Sequence, residues 1–303
     1  MTFQPASALV WSLGEFDSPD LSFNGYDDAG VEWICEHPAA WDKVSAEVPS
    51  EDLPGDGSRP GPGRYKERVI NLRGAFRGDP SLLEAAEWRL RDALERVRSD
   101  QTLSVTEPVP KSVTVRLTGD FTVDYFNRRT RTFSAVLTAH DPLKYAAGAG
   151  GLEVVQFVLR NPADEGGVVF PVTFPMQFSG GQPDVSRQVV DNIGRVPVQP
   201  LLKFTGQASG PRLVRVSGGG DDGRPVVIDG SYYGVTGELP ANLSAEADLS
   251  TRSLLIDGAS RISRRYPGST HWSLASGRND LRFVADAYSA TATAQLSYRP
   301  AWR

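Results

Sequence analysis

The sequence predicts a mainly β protein of two domains, with a single amphipathic α-helix in the first. Three observations carry that reading. Among the 303 residues are 30 glycines and 22 prolines, set between short runs of alternating apolar and polar side chains, which is the punctuation of strands joined by turns. Only one segment, residues 79–99, repeats its apolar residues at helical spacing. A chain of 303 residues is longer than one hydrophobic core usually organises.

The N-terminal domain is expected over residues 1–145. Within it "RYKERVINLRGAF" (64–76) reads as a strand, with Val69, Ile70 and Leu72 in a half-buried pattern. The helix "DPSLLEAAEWRLRDALERVRS" (79–99) follows. Asp79 is its N-cap, because a carboxylate accepts the unpaired amides of the first turn, and Pro80 suits the first helical position, where an N–H is not needed. Leu83, Ala86, Leu90, Leu94 and Val97 form the apolar stripe, while Glu87–Arg91 and Asp92–Arg96 are i,i+4 pairs on the outer face. Next, "KSVTVRLTGDFTVDYFN" (111–127) places Val113, Val115 and Leu117 on one face ahead of an expected turn at Gly119–Asp120. Residues 121–139 read as a hairpin around a polar loop at Asn127–Thr130, with Phe133, Ala135, Leu137 and Ala139 sharing one side. The stretch "EVPSEDLPGDGSRPGPG" (47–63) is poor in apolar residues and is expected to be a long loop, mobile or ordered by a neighbour.

"AAGAGG" (146–151) is read as a connector. Beyond it, residues 152–303 are expected to form a β-sandwich. Apolar runs at 152–160, 199–206, 211–218, 224–231, 252–258, 279–286 and 290–300 are separated by turn residues every dozen or so positions.

Bulk composition narrows the function. With 40% hydrophobic and 23% charged residues the chain is expected to fold. A net charge of -5 and a pI of about 5.4 argue against nucleic-acid binding, which needs clustered Lys and Arg. No apolar run is long enough to span a bilayer, and "MTFQPASALVWSLG" lacks the basic start of a secretory signal. Cys35 is alone, which excludes an intramolecular disulfide and a cysteine metal cluster and fits synthesis in a reducing cytoplasm.

Chemistry-bearing motifs are few. In "RTFSAVLTAHDPLKY" (131–145) His140 stands beside Asp141, but neighbours on an extended chain point to opposite faces. Pro142 then removes a ladder donor, so the pair reads as the end of a strand. The other histidines, His37 and His271, make no HxH or HxxxH spacing with it. Nucleophile-elbow, Walker and zincin signatures are absent, and "SGGGDDGR" (217–224) offers two carboxylates but not a full calcium loop. No catalytic, cofactor-binding or metal-ligating residue is nominated, and the chain is expected not to be an enzyme. Trp272, Tyr232 and Tyr233 are the candidates for carbohydrate or partner contact, since such rings stack on sugars and anchor interfaces; core packing is the competing role of Trp272.

Several motifs also resemble a known family. "VINLRGAFRGDPSLLEAAEWRLRDAL" (69–94) and "RRTRTFSAVLTAHDPLKY" (128–145) resemble the N-terminal domain of siphophage distal tail proteins. "FPVTFP" (170–175), "VDNIGRVPVQPLLKFTGQASGPRLV" (190–214), "HWSLASGRNDLRFVA" (271–285) and "LSYRPAWR" (296–303) resemble tail components of actinobacteriophages. The resemblance spans about residues 60–303. It implies a homo-oligomer, a hexameric ring of N-terminal domains continuing the tail tube, with a galectin-like C-terminal sandwich projecting outward. The implied partners are the tail tube protein, the tail-tip hub or tail-associated protein and the tape-measure protein. The implied location is the virion tail tip, after assembly in the host cytoplasm, with no cofactor, specific nucleic acid or membrane. A carbohydrate- or receptor-binding module of the tail tip is the alternative.

Overall fold

The computed structural model describes residues 9–38, 40–52, 54, 56–95, 99–159, 185–217 and 227–303. Strands account for 54% and helices for 8% of the chain, so the expected mainly β class is observed. The chain divides into two units, residues 1–151 with 301–303, and residues 152–300.

In the first unit the helix runs Pro80–Leu94. Asp79 caps it as its sequence position requires: its Oδ1 accepts the Ser81 backbone N–H at 2.9 Å and the Ser81 hydroxyl at 2.6 Å. Leu83, Ala86, Leu90, Ala93 and Leu94 are its buried residues. The helix is shorter than the expected 79–99. The Glu95 N–H closes it on the Arg91 carbonyl at 2.7 Å, and Gln101, which begins the next strand, donates to the Leu94 carbonyl at 3.5 Å. Pairing of Gln101 with Val115 commits the chain to the sheet within seven residues of Leu94. Arg96 and Val97 lie outside the described residues. Arg91 bridges Glu87 at 2.9 Å and Glu95 at 3.0 Å.

The main sheet of this unit has ten antiparallel strands among the described residues. Two lie off the main path: Lys144–Ala146 pairs with Lys111–Asn127, and Ala301–Trp302 pairs with Lys144–Ala146. The order along the path is Ser18–Phe23, Trp11–Glu15, Gln101–Val105, Lys111–Asn127, Thr130–Ala139, Arg68–Arg77, Glu32–Cys35 and Gly25–Tyr26. The first and last of these are one chain segment, interrupted only at Asn24, so the sheet closes on itself. Asn24 makes the corner with a φ of 66°, which Asn tolerates better than most residues. Its side chain ties the seam by accepting the Cys35 N–H and donating to the Leu9 carbonyl, both at 2.8 Å. Trp11, Phe23, Trp33, Leu72, Phe133 and Leu90 lie in one buried cluster.

The second bend falls within Lys111–Asn127, where a turn at Gly119–Asp120 was expected. The strand instead runs through, and its register against Thr130–Ala139 slips between Leu117 and Phe121. A Cβ on Gly119 would stand 2.8 Å from that of Val136, so the missing side chain permits the kink without ending the ladder. Val69 also departs from expectation: it is exposed while Ile70 and Leu72 are buried, because adjacent strand residues cannot face the same side.

The 47–63 stretch is not a plain loop. Ala46–Glu47 pairs with Arg64–Tyr65, and Ser50–Asp52 pairs with Ser58–Pro60, making a hairpin arm of two short ladders. The Gly61 N–H donates to the Pro49 carbonyl at 2.6 Å, and Arg64 pairs with Glu47 at 3.0 Å. Local ladders of this kind need no apolar core, which is why composition hid them. Finally, Ala301–Trp302 pairs with Lys144–Ala146 and so adds the last strand to the first unit.

The second unit holds two main sheets. One orders Glu153–Val158, Thr293–Tyr298, Leu201–Thr205, Ser244–Asp248, Ser253–Ile256 and Ala259–Ser260. The other orders Arg187–Asn192, Gly277–Val284, Arg212–Ser217 and Val227–Gly234. Alternation buries Leu202, Phe204 and Leu296 from the first and Leu213, Leu281 and Phe283 from the second, and the Phe204 and Phe283 rings meet at 6.0 Å between centroids. Two buried asparagines punctuate this unit. Asn192 accepts the Gly194 N–H at 3.0 Å and donates to the Val196 carbonyl at 3.2 Å; Asn279 accepts the Ala275 N–H and donates to its carbonyl, both at 2.8 Å. "FPVTFP" and the glycine-rich part of "SGGGDDGR" lie outside the described residues.

Candidate functional site

The first unit presents an open sheet edge. Lys111–Val115 is paired on its outer side with Gln101–Val105, but from Phe121 to Asn127 the only partner among the described residues is Thr130–Ala139. The exposed register here reads "FTVDYFN", with one charge, no proline and no lysine; protective residues usually blunt such an edge. Phe121 and Val123 pack on the core. Tyr125 and Phe126 do not, and stand 73% and 63% exposed.

That edge is held rigid from behind. The Arg131 guanidinium stacks 4.5 Å over the Tyr125 ring, donates to the Leu83 carbonyl at 3.2 Å and pairs with Glu87. One cation thereby fastens hairpin to helix. At the hairpin tip the Arg129 N–H donates to Asn127 Oδ1 at 2.8 Å, and the Gly78 N–H donates to the Arg129 carbonyl at 3.1 Å. Arg91 covers Phe121 at 5.3 Å. Exposed Tyr125, Phe126 and, on the helix, Trp88 escaped the sequence reading because aromatic residues in an alternating strand or amphipathic helix look like core.

The aromatic candidates lie elsewhere, in the second unit. Tyr232 and Tyr233 lie in strand Val227–Gly234, and there they face opposite ways. Tyr233 is fully buried, 5.4 Å from the His271 ring, and Trp272 is 5% exposed. Burial pushes the Tyr233 phenol up. Tyr232 is half-buried; its hydroxyl donates to the Pro267 carbonyl at 2.7 Å and its ring meets Tyr266 edge-on. The structure therefore brings Tyr233 and His271 together inside the unit, and leaves only Tyr232 near solvent.

His140 and Asp141 play the structural part expected of them. Asp141 accepts the Leu143 N–H at 3.0 Å and the Tyr145 hydroxyl at 2.6 Å, whereas His140 lies 3.3 Å from Glu67. The histidine and aspartate that do meet are His37 and Asp42, at 2.8 Å. They belong to a packed corner: His37 abuts Trp11, and Asp42 also faces Lys144, which lies 5.2 Å over the Trp41 ring. Among the described residues no three of His, Cys, Asp and Glu are grouped as metal ligands would be.

No family model matches the chain, and no curated protein sequence matches it. Solved structures do. The crystal structure of the Dit (gp 19.1) protein of phage SPP1 aligns with a TM-score of 0.61 over 95% of this chain and 98% of that one, at 13% identity. The chain shares the fold of a phage Dit protein. Two structures of the phage P2 baseplate in its activated conformation, with Ca and with Sr, align at TM-scores of 0.47 and 0.46, with 8% and 9% identity, over 96% of this chain and 98% of theirs. Both units take part in the Dit fold, since the alignment to SPP1 Dit spans nearly the whole of both chains.

Proposed function

We propose that the protein is a non-enzymatic structural component of a phage tail tip, in which first units of successive copies close into a ring. The observation that carries this reading is agreement of fold along the whole length with SPP1 Dit, a protein described as a paradigm of the hub adsorption apparatus in phages infecting Gram-positive hosts. The open Phe121–Asn127 edge supports it, because a repeated head-to-tail contact needs an unsatisfied surface on each copy. In this reading the ring is hexameric. It joins the tail tube protein to the tail-tip hub and surrounds the tape-measure protein. The second unit is a galectin-like sandwich directed outward, and the protein reaches the virion tail after assembly in the host cytoplasm.

Light scattering and negative-stain imaging of the purified protein test it. The expected result is a mass that is a multiple of the 32.9 kDa protomer, with six-fold particles around a lumen. A monomer that is also missing from purified tails overturns the reading.

A further inference from the structure

Strand Val227–Gly234 ends one of the two main sheets of the second unit. It pairs with Arg212–Ser217 on one side, and among the described residues no strand pairs with its other side. The segment from Arg264 to Thr270 lies along that second side as a strap. The Tyr266 N–H donates to the Gly234 carbonyl and the Thr270 N–H to the Tyr232 carbonyl, both at 2.8 Å, and the Thr236 N–H donates to the Arg264 carbonyl at 2.7 Å. Side chains add to these bonds: the Tyr232 hydroxyl donates to the Pro267 carbonyl at 2.7 Å, and the Gly234 N–H donates to the Ser269 hydroxyl at 3.3 Å. The strap thus satisfies a strand edge that would otherwise be open to another chain.

His271 follows directly on the strap and fastens its end. Its ring lies against the fully buried Tyr233 ring, 5.4 Å between centroids. Its Nδ1 is shut off from solvent and has no hydrogen-bond partner among the described residues, and the Tyr233 hydroxyl is likewise buried and unpartnered. A bare ring nitrogen is tolerable while it carries a lone pair, because a neutral imidazole has only one N–H to satisfy. Protonation would turn Nδ1 into a charged donor with no acceptor in a dry place.

The surrounding charges oppose a proton as well. The ionisable groups that bear on His271 are Tyr233 on the strand, Arg252 on the turn between Ser244–Asp248 and Ser253–Ile256, and Arg265 on the strap, with no carboxylate among them. Burial, followed by the two guanidinium charges, holds this imidazole below its ordinary value. The other two histidines of the chain are placed the opposite way. His37 lies 2.8 Å from Asp42 and His140 lies 3.3 Å from Glu67, so a proton gained by either meets a carboxylate. Only His271 has no counter-charge to receive one.

We infer that His271 is a proton-operated catch: neutral, it holds the Arg264–Thr270 strap on the Val227–Gly234 edge, and protonated, it leaves Tyr233 and lets the strap go. The direction follows from linkage. The folded form prefers the neutral imidazole, so the contact holds fully above the unfolded histidine value of about 6.5 and is lost as pH falls from there through the lower folded value. What opens is specific. The backbone groups of Tyr232 and Gly234, which the strap now satisfies, become free to pair with an extended segment of another chain. The catch lies wholly within the second unit and does not rest on the ring proposal.

Hydrogen exchange of the full chain, corrected for intrinsic rates and compared between about pH 7.5 and about pH 5, tests the catch. Protection at Gly234, Tyr266 and Thr270 should fall by up to about tenfold per pH unit below about 6.5, the limit for uptake of one proton. Gly277–Val284, in the same sheet, should keep its protection. His271→Phe, which keeps a ring against Tyr233 but takes no proton, should hold the strap at both pH values. Should that variant fold poorly, NMR titration of the His271 imidazole in the unsubstituted protein decides, with a midpoint expected below the ordinary value. A strap equally protected at both pH values overturns the inference, as does a loss that persists in His271→Phe or a His271 midpoint at or above the ordinary value. Loss at Gly277–Val284 in step with the strap also overturns it, because the whole second unit would then be unfolding.

Discussion

Arg68 and Pro142 are 74 residues apart, yet the Arg68 guanidinium grips the Pro142 carbonyl from Nε at 3.2 Å and from Nη2 at 2.7 Å. Its other arm, Nη1, donates to the carbonyls of Ala40, Trp41 and Lys43 at 2.8, 2.5 and 2.9 Å. A residue only 4% exposed thus ties the segment before the hairpin arm to the turn that ends the Thr130–Ala139 strand. Arg68→Ala should lower stability by about 2–4 kcal/mol, since each carbonyl left dry costs about 1–3 kcal/mol. Arg68→Lys should recover little of it, because an ammonium cannot reach both sides. Denaturant unfolding of the three proteins checks this.

Leu90 is fully buried under the helix. Leu90→Ala should cost about 2–5 kcal/mol through the cavity it leaves, and Leu90→Asp more, because an unpaired charge would be buried there. Circular dichroism melts should show the first unit unfolding earlier in that order. Unchanged melting of Leu90→Asp would mean that the helix docks by another face.

Gly74 lies where Glu32–Cys35 and Thr130–Ala139 both pair with Arg68–Arg77. A Cβ there would fall 2.1 Å from the Ile34 carbonyl oxygen and 2.7 Å from the Phe133 ring. Gly74→Ala should therefore destabilise by about 1–3 kcal/mol or more through forced displacement of a ladder. Gly30→Ala is a useful contrast: it has open space around it but a φ of +82°, so its cost comes from backbone strain alone.

Asp27 should make the first unit acid-sensitive. Burial pushes its carboxyl up, but hydrogen bonds from the Trp33 indole and the Val31 N–H, together with the Arg89 charge, outweigh burial and hold it below the ordinary carboxylate value. A carboxyl depressed in the folded state stabilises above its unfolded pKa, and that contribution fades as pH falls through the folded pKa. Stability should therefore drop below about pH 4. Asp27→Asn should flatten that acid limb while lowering stability at neutral pH, as pH-dependent melts would reveal.

The open edge predicts a separation of folding from assembly. Phe126→Asp should leave melting nearly unchanged, since that side chain is largely exposed, and should reduce the particles to protomers by placing an unpaired charge in the seam. Intact particles would place the seam elsewhere.

Local rules made much of this protein legible in its sequence. Asp79–Pro80 sets the helix start, because both act on the first turn alone. The Asn127–Thr130 hairpin loop and the Asp141 turn follow from side chains bonding to backbone two residues away. Alternation located nearly every long strand, since its period is a property of consecutive residues.

Tertiary structure decided whatever depends on which strand pairs with which. Closure of the sheet at Asn24, the kink at Gly119, the return of Ala301–Trp302 to Lys144–Ala146 and the premature end of the helix are set by partners tens to hundreds of residues distant. Burial of Tyr233 and Trp272 and exposure of Tyr125 and Phe126 are of the same kind. An aromatic residue in an alternating run fits core and surface equally well, and only the presence or absence of a neighbouring strand chooses between them.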